Sequence, residues 1–212
     1  MLVKERMTSP VIKITPNTSV QDALELMREN KIRRLPVVER GKLVGIVTER
    51  DLLYATPSPA TTLSIQEMHY VLSKLPVREV MSSPVITVTE DTPLEEAARL
   101  MADNKIGGLP VVRDGELVGI ITESDIFKIF MEMLAAREEG VRITLLVPEK
   151  KGMLAAITKA IAARGGNIVS LGQFWGEDPT NRTVTIKLTE ISPDDLKEAV
   201  SQVEGVKILD IR

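Results

Sequence analysis

The sequence predicts an α/β (α+β) fold that consists of a duplicated unit followed by a different unit of the order β-α-β-β-α-β. Three observations lead to this fold class. A segment beginning at Val3 recurs without a gap from Val77, an offset of 74 residues. Within each copy, apolar residues at helical spacing alternate with short apolar runs typical of strands. After residue 140 the repeat ends and a new order of elements begins.

The composition is that of an ordinary globular protein and excludes several kinds of function. Of 212 residues, 43% are hydrophobic and 27% are charged. The net charge of −3 and the pI near 5.4 disfavour nucleic-acid binding. Because there is no cysteine and His69 is the one histidine, we predict no thiolate catalysis, disulfide or metal site. The first residues are charged and no apolar run approaches the roughly 20 residues of a membrane helix, which predicts a cytoplasmic protein without a membrane partner.

The repeat is the strongest feature of the chain, with roughly half of the aligned positions identical. Such a regular duplication indicates two copies of one supersecondary unit that bury their apolar faces against each other. The matching stretches are Val3–Ile12 with Val77–Ile86, Leu35–Val38 with Leu109–Val112, and Thr48–Asp51 with Thr122–Asp125.

Each copy is predicted to form a strand, a helix, two strands and a second helix. The first helix has its apolar face at Val20, Ala23, Leu24 and Met27, with Thr18 or Ser19 as its cap. In the second copy the equivalent face is Leu94, Ala97, Ala98 and Met101, and Pro93 opens the helix. The two strands are joined by a short hairpin at Glu39–Lys42 and again at Arg113–Glu116, and the second helices begin near Glu49 and Glu123.

Between the copies, Thr56–Pro59 predicts a turn or linker, and Leu63–Lys74 predicts one added helix. This helix carries His69. Without a second histidine or a cysteine, its structural or solvated role is favoured over a role as a ligand or switch.

The third segment predicts six elements in a new order. A strand at Arg142–Val147 precedes a helix with Leu154, Ile157 and Ile161 on its apolar face, which stops at Gly165-Gly166. Two strands, a helix and a final strand follow, at Ile168–Trp175, Arg182–Glu190, Pro193 to about Glu204, and Val206–Ile211. This order is that of the ferredoxin-like split unit.

These residues carry a resemblance to known families. Gly45–Asp51 and Gly119–Asp125 resemble the sequence of a glycine, hydrophobic residues and Thr-x-x-Asp that closes a CBS motif, and the Ser-Pro-Val-Ile and Leu-Pro-Val-Val segments match the same family. The third segment resembles an ACT domain in its element order, in Gly152 and in Gly165-Gly166-Asn167. Together they are similar to the bacterial acetoin utilisation protein B family. The resemblance implies tandem CBS motifs forming one Bateman-type module, with the divisions 1–55, 56–76 for the linker and added helix, 77–135, and 140–212 for the ACT domain.

The CBS resemblance implies an adenine-nucleotide site, and the residue chemistry agrees with it. A threonine at a helix start offers its hydroxyl to a phosphate, and an aspartate three residues later can accept two hydrogen bonds from a ribose. The alternative is that both residues only cap the helix. The adenine would lie between isoleucines, which could equally be plain core. The expected site is Thr48, Asp51, Thr122, Asp125, Ile12, Ile32, Arg33, Arg34, Pro36, Ile86, Ile106, Gly108 and Pro110.

The copies differ at one place that bears on the ligand, since Arg33-Arg34 becomes Gly107-Gly108. Guanidinium groups pair well with phosphate oxygens, whereas glycines let a ligand approach the backbone. We therefore expect two inequivalent clefts, the first preferring the more highly charged ligand. Arginines that are merely solvated remain the alternative.

The ACT resemblance implies either a second, small-ligand site in the loop after the first strand of that segment or, as in many ACT-like sheets, a surface that only dimerises. The expected residues of the ligand site are Glu149, Gly152, Met153 and Asn167, although the family's usual leading aspartate is Glu149 here.

The sequence as a whole predicts a regulatory sensor and not an enzyme. No phosphate loop, GxGxxG, HExxH or nucleophile-base pair is present, so neither catalysis nor a catalytic cofactor is expected. The regulatory ligand would be AMP, ADP, ATP or a related adenosyl compound. The protein is expected to be a homodimer and to act on an unidentified metabolic protein, such as one of acetoin catabolism. The alternative is a structural dimerisation or partner-binding module with empty clefts.

Overall fold

The computed structural model describes residues 1–55 and 64–212. The chain forms two compact units, Met1–Ile126 and Phe127–Arg212. Each contains a four-stranded antiparallel sheet. Its strands lie in the order Arg34–Glu39, Lys42–Thr48, Glu116–Thr122, Gly108–Arg113 in the first unit and Asn167–Trp175, Asn181–Thr189, Val141–Pro148, Lys207–Ile211 in the second. The predicted α+β class is therefore confirmed.

The two copies of the repeat fold into equivalent elements. In chain order they are a 3₁₀ turn at Val3–Glu5, α1 (Val20–Asn30), β1 (Arg34–Glu39), β2 (Lys42–Thr48), α2 (Glu49–Tyr54), α3 (Ile65–Lys74), a 3₁₀ turn at Val77–Glu79, α4 (Leu94–Asn104), β3 (Gly108–Arg113), β4 (Glu116–Thr122) and α5 (Glu123–Met133).

Helix starts and hairpins follow the chemistry that the sequence predicts. Ser19 caps α1 by accepting a hydrogen bond from the Asp22 amide at 3.0 Å. In the first hairpin, Arg40 and Gly41 have φ values of 49° and 83°, which suit a tight turn with left-handed residues. Met27 and Met101 are buried in the two repeats, as expected for gap-filling core residues.

The predicted first strand of each copy is wrong in extent. In the first copy, Ile14 makes only an isolated bridge to Val37, with hydrogen bonds from Ile14 N to Pro36 O (3.0 Å) and from Val38 N to Ile14 O (2.8 Å). Val88 repeats this bridge in the second copy.

Residues 6–19 and 80–93, which lead from each 3₁₀ turn to the first helix of the copy, are the entry segments of the two copies. In the first copy Pro16 has no amide hydrogen with which to continue the short ladder. In the second copy the Glu90 carbonyl instead accepts a hydrogen bond from the Lys4 amide at 3.0 Å.

The added helix is confirmed as α3, whereas Thr56–Pro59 and Leu63 lie outside the described residues, as does the side chain of His69. No helix in the described ranges is long and apolar enough to cross a membrane.

The second unit has the predicted order β-α-β-β-α-β. Its elements are β5 (Val141–Pro148), α6 (Met153–Ala163), β6 (Asn167–Trp175), β7 (Asn181–Thr189), α7 (Pro193–Ser201) and β8 (Lys207–Ile211). Ile157 and Ile161 of α6 and Leu196 of α7 pack against alternating residues of β5 and β7 in one buried cluster. Helix α7 ends three residues before the predicted Glu204, because the chain turns there toward Gly205, whose φ is 81°.

Candidate functional site

The two Thr-x-x-Asp elements form matching helix caps. The carboxylate of Asp51 accepts hydrogen bonds from the Thr48 amide at 2.8 Å and the Thr48 hydroxyl at 2.7 Å, both through Oδ2. Asp125 makes the same bonds to Thr122 at 3.0 and 2.7 Å. All four residues are half-buried. The interpretation of these residues as helix caps is thus confirmed, and Oδ2 of each carboxylate takes part in the cap.

A cleft of about 730 Å³ lies beside Thr48 and Asp51. Its walls come from both copies of the repeat. The first copy contributes Arg33, Arg34, Ile46, Thr48, Glu49, Arg50 and Asp51, and the second contributes Ser82, Pro84, Val85, Ile86, Lys105, Ile106, Gly107, Gly108 and Glu123.

An exchange of entry segments explains this mixed lining. Ser82 pairs with Ile46 through hydrogen bonds of 2.9 and 3.1 Å, which carries the segment leading to Ile86 alongside β2 of the first copy. Thr8 pairs with Ile120 in the same way and carries the segment leading to Ile12 alongside β4. Each Thr-x-x-Asp element therefore faces the entry segment of the other copy.

A close contact accompanies each exchanged segment. A methyl group placed on Gly45 would overlap the sulfur of Met81 and lie 2.9 Å from its Cγ, and Gly119 has the same relation to Met7. The glycine that opens the Gly-hydrophobic-Thr-x-x-Asp signature is thus needed because a methionine of the other copy packs directly on it.

The structure brings together seven of the residues predicted for the nucleotide site: Arg33, Arg34, Thr48, Asp51, Ile86, Ile106 and Gly108. Four other predicted residues do not line this cleft: Ile12, Ile32, Thr122 and Asp125. By the repeat they are the equivalents of Ile86, Ile106, Thr48 and Asp51. Ile12 and Ile86 are exposed to nearly the same extent, 37% and 39%, so neither is a plain core residue. Pro36 and Pro110 are buried in β1 and β3 and do not line the cleft.

The expected division of arginines and glycines between two clefts is not what the structure contains. Arg33, Arg34, Gly107 and Gly108 all line the same cleft. Arg34 at the beginning of β1 pairs with Thr48, and Gly108 at the beginning of β3 pairs with Thr122. The Arg34 side chain extends to the second copy.

The electrostatics of the cleft favour a ligand with negative charge and hydroxyl groups. Four cationic side chains line it, Arg33, Arg34, Arg50 and Lys105, against the carboxylates of Glu49, Asp51 and Glu123. Burial, followed by the neighbouring charge of Arg33, lowers the pKa of the Arg34 guanidinium. Sequence reasoning missed Ser82, which reaches the first copy only through the exchange of segments, and it also missed Arg50 and Lys105, although they adjoin the predicted residues Asp51 and Ile106 in sequence.

The predicted site of the second unit is only partly assembled. Glu149, Gly152 and Met153 line a cleft of about 310 Å³ together with Gln173 and Arg182. Asn167 is not among its residues. It lies at the start of β6, paired with Thr189, whereas Glu149 follows the opposite end of β5. An eight-residue strand spans roughly 25 Å, so the prediction that placed Asn167 across from Glu149 is wrong.

Arg182 is the residue of this second cleft that sequence reasoning missed. Its Nε lies 2.6 Å from Glu149 Oε2, and its guanidinium carbon lies 4.1 Å from the centre of the Trp175 ring. The charge of Arg182 is thus held between a carboxylate and an aromatic face. The pairing of Arg182 with Trp175 across β6 and β7 could not be seen without the register of the two strands.

Within the described residues, the two copies of the repeat thus form a paired α/β module that exchanges entry segments and builds a polar, cation-lined cleft between the copies. The chain belongs to the CBS domain family, whose model matches residues 3–58 and 77–132.

Three solved structures of this family resemble the chain. A putative acetoin utilization protein (AcuB) from Vibrio cholerae is 37% identical, with a TM-score of 0.54 over 66% of this chain and 98% of its own. The CBS domain pair of protein MJ0100, in complex with 5′-methylthioadenosine and S-adenosyl-L-methionine, is 32% identical, with a TM-score of 0.52 over 65% and 98%. CBSX2 in complex with AMP is 34% identical, with a TM-score of 0.52 over 62% and 97%.

Proposed function

We propose that the protein is a non-catalytic regulatory sensor whose CBS pair binds an adenine nucleotide or a related adenosyl ligand. The observation that carries this proposal is the cleft itself, where Thr48 and Asp51 of one copy share a cavity with Ile86 and Ile106 of the other. Apolar side chains suit the faces of an adenine, a carboxylate suits a ribose diol, and guanidinium and ammonium groups suit a phosphate.

Each part of the ligand has a proposed partner in the cleft. Asp51 would accept hydrogen bonds from the ribose hydroxyls through Oδ1, which accepts none from the residues described. Ile86 and Ile106 would hold the adenine between them. Arg33, Arg34 and Lys105 would bind phosphate, since none of the three forms an ion pair within the described parts of the chain. By the repeat, Thr122, Asp125, Ile12 and Ile32 would serve a second ligand.

The similar structures support an adenosyl ligand for this protein but contain different compounds of that class. The MJ0100 pair is in complex with 5′-methylthioadenosine and S-adenosyl-L-methionine, and CBSX2 is in complex with AMP. These ligands share an adenosine and differ in charge. The four cations of the present cleft favour the phosphorylated members, AMP, ADP or ATP.

We further propose that residues 140–212 are an ACT domain. Its element order supports this assignment, and the cleft at Glu149, Gly152 and Met153 would accept a small ligand. Helix α6 begins there after Gly152 with no acidic residue in its first turn, which leaves its positive end unneutralised. The regulated partner would be a metabolic protein such as an enzyme of acetoin catabolism, an idea supported by the likeness to the putative acetoin utilization protein.

A thermal unfolding experiment separates the sensor from the alternative, a structural or partner-binding module with empty clefts. A ligand that binds only the folded state stabilises it by RT ln(1 + [L]/Kd), about 2.7 kcal/mol at a hundredfold excess over Kd. We expect AMP, ADP or ATP to raise the unfolding temperature of the protein in a concentration-dependent way. GMP, which keeps the phosphate and changes the base, is the matched control. No shift with any adenosyl compound would argue for the alternative, whereas equal shifts with AMP and GMP would show that the site binds nucleotides without selecting adenine.

We also propose that the protein is a homodimer. Strand β6 is an edge strand of the second sheet, and Leu171, Phe174 and Trp175 along it are exposed, Trp175 at 80%. An unpaired edge that carries large apolar side chains favours association with a second copy. Light scattering at micromolar concentration should give twice the chain mass of 23.4 kDa. Leu171→Lys should shift the mass toward the monomer, whereas a wild-type mass of one chain would contradict the proposal.

A further inference from the structure

The side chain of Arg34 reaches from the first copy of the repeat into the second. A methyl group placed on Gly108 would lie 2.8 Å from Arg34 Nη1 and 3.0 Å from Arg34 Cδ, and one on Gly107 would overlap Nη2. The guanidinium therefore fills the space that side chains would take at both glycines. The change from Arg33-Arg34 to Gly107-Gly108 between the copies is explained by this packing, because two arginines on each side could not share that space.

The same guanidinium lies near the acidic helix start of the second copy. A methyl group on Gly107 would also lie 2.7 Å from Glu123 Oε2, so Arg34 and Glu123 converge on one glycine. The charges of both Glu123 and Asp125 act on Arg34 and oppose the lowering of its pKa by burial. Asp125 is the equivalent of Asp51 in the other copy. Arg34 thus lines the cleft at Thr48 and Asp51 while its side chain packs on Gly108, which pairs with Thr122 of the second Thr-x-x-Asp element.

We propose that Arg34 couples the two clefts, so that a phosphate bound in one weakens the binding of a second phosphate in the other. This inference rests on the proposed nucleotide-binding function. A guanidinium can give its paired hydrogen bonds to one phosphate at a time. A second phosphate meets an arginine whose charge is already neutralised and is repelled by the first phosphate. An adenosyl ligand without a phosphate makes no demand on Arg34, and its two sites are independent.

The coupling can be measured by calorimetric titration of the full chain with AMP and, in parallel, with adenosine. For the wild type we expect two AMP steps whose affinities differ by about tenfold or more, the size of one charge-assisted hydrogen bond. The two adenosine steps should lie closer together than the two AMP steps. Raising the salt concentration should bring the AMP steps closer together and leave adenosine unchanged, since salt screens charge.

Three variants test whether Arg34 is responsible. Arg34→Gln should weaken the tighter AMP step about tenfold or more and bring the ratio of the two steps to that of adenosine. Gly107→Ala keeps every charge of the protein but displaces the guanidinium, so it should also reduce the ratio. Arg33→Gln is the matched control, because it removes a neighbouring charge from the same cleft and leaves Arg34 in place. It should weaken the AMP step of that cleft, while the first bound AMP still weakens the second, so that the AMP ratio stays above the adenosine ratio.

The outcomes distinguish this inference from the proposed function. If wild type binds two AMP molecules identically, or if the ratio is the same in wild type, Arg34→Gln and Gly107→Ala, Arg34 does not couple the clefts, although the protein still binds nucleotide. A single AMP site in both wild type and Arg34→Gln overturns the coupling as well. A single site in wild type that becomes two in Arg34→Gln supports it. If neither AMP nor adenosine nor any other adenosyl compound binds, the proposed function is wrong and the coupling fails with it.

Discussion

Replacing Asp51 and Asp125 together by alanine is expected to weaken AMP binding at both clefts by about ten- to a hundredfold while the protein remains folded. Hydrogen bonds to a charged group contribute about 1.5–3 kcal/mol each, which corresponds to that loss of affinity. Each carboxylate also accepts the amide hydrogen bond of its threonine, at 2.8 Å for Asp51 and 3.0 Å for Asp125. Loss of such a cap costs about 0.5–2 kcal/mol of stability. Calorimetry measures the affinity, and thermal unfolding measures the cost of the lost caps.

The chain contains a matched control for the loss of the cap. Ser192 caps α7 by accepting a hydrogen bond from the Asp195 amide at 3.1 Å, and its hydroxyl donates to the Asp195 carboxylate at 2.6 Å. The two bonds of the hydroxyl repeat those of Thr48 with Asp51, and α7 is remote in sequence from the CBS repeat. Among the described residues, Asp195 accepts no hydrogen bond from the Ser192 amide, unlike the aspartates of the repeat with their threonine amides. Asp195→Ala should lower stability by a similar amount and leave the affinity for AMP unchanged. An AMP affinity that is unaltered in the double variant would show that Asp51 and Asp125 are caps and nothing more.

Most of the fold could be predicted because local chemistry and tertiary structure agree along this chain. Ser19 and Ser192 are strong helix caps and occupy those positions, and the glycine-containing hairpins occur where predicted. Val184, Ile186 and Leu188 alternate with polar residues along β7 and are fully buried, so the alternation in the sequence marks the buried face of this strand. The entry segments were the exception. A strand needs a partner along its length, and Ile14 bonds to Val37 and its neighbours only at one point, a feature of tertiary contact and not of local pattern.

Much less of the candidate site could be predicted than of the fold. The repeat shows which residues are equivalent, but two arrangements satisfy it equally, one with each copy closed on itself and one with exchanged entry segments. Nothing in the sequence distinguishes them, since Gly45 and Gly119 would accept a methionine from either copy. The reach of Arg34 across to Gly107 likewise depends on the three-dimensional arrangement. The residue types of the site were therefore predictable from sequence, whereas their grouping was not.

Truncation of Leu35 is expected to impair AMP binding, whereas the same truncation of Leu145 is expected to leave it intact. Both leucines are fully buried, Leu35 in β1 of the first unit and Leu145 in β5 of the second. A buried leucine replaced by alanine lowers the free energy of unfolding by about 2–5 kcal/mol, through lost burial and the cavity left behind. Leu35 adjoins Arg34 in sequence and pairs with Val47, the neighbour of Thr48. Partial collapse of that cavity displaces groups of the cleft.

Leu145 packs instead with Ile157, Ile186 and Leu196, and every residue that lines the CBS cleft lies within Met1–Ile126. Chemical denaturation should thus show losses of stability of similar size in Leu35→Ala and Leu145→Ala, while calorimetry at 25 °C shows a reduced AMP affinity in Leu35→Ala alone. The equal chemistry of the two substitutions removes general destabilisation as an explanation for the difference. If Leu145→Ala lost as much AMP affinity as Leu35→Ala, the nucleotide would not bind only in the cleft of the first unit, and the proposed site would be contradicted.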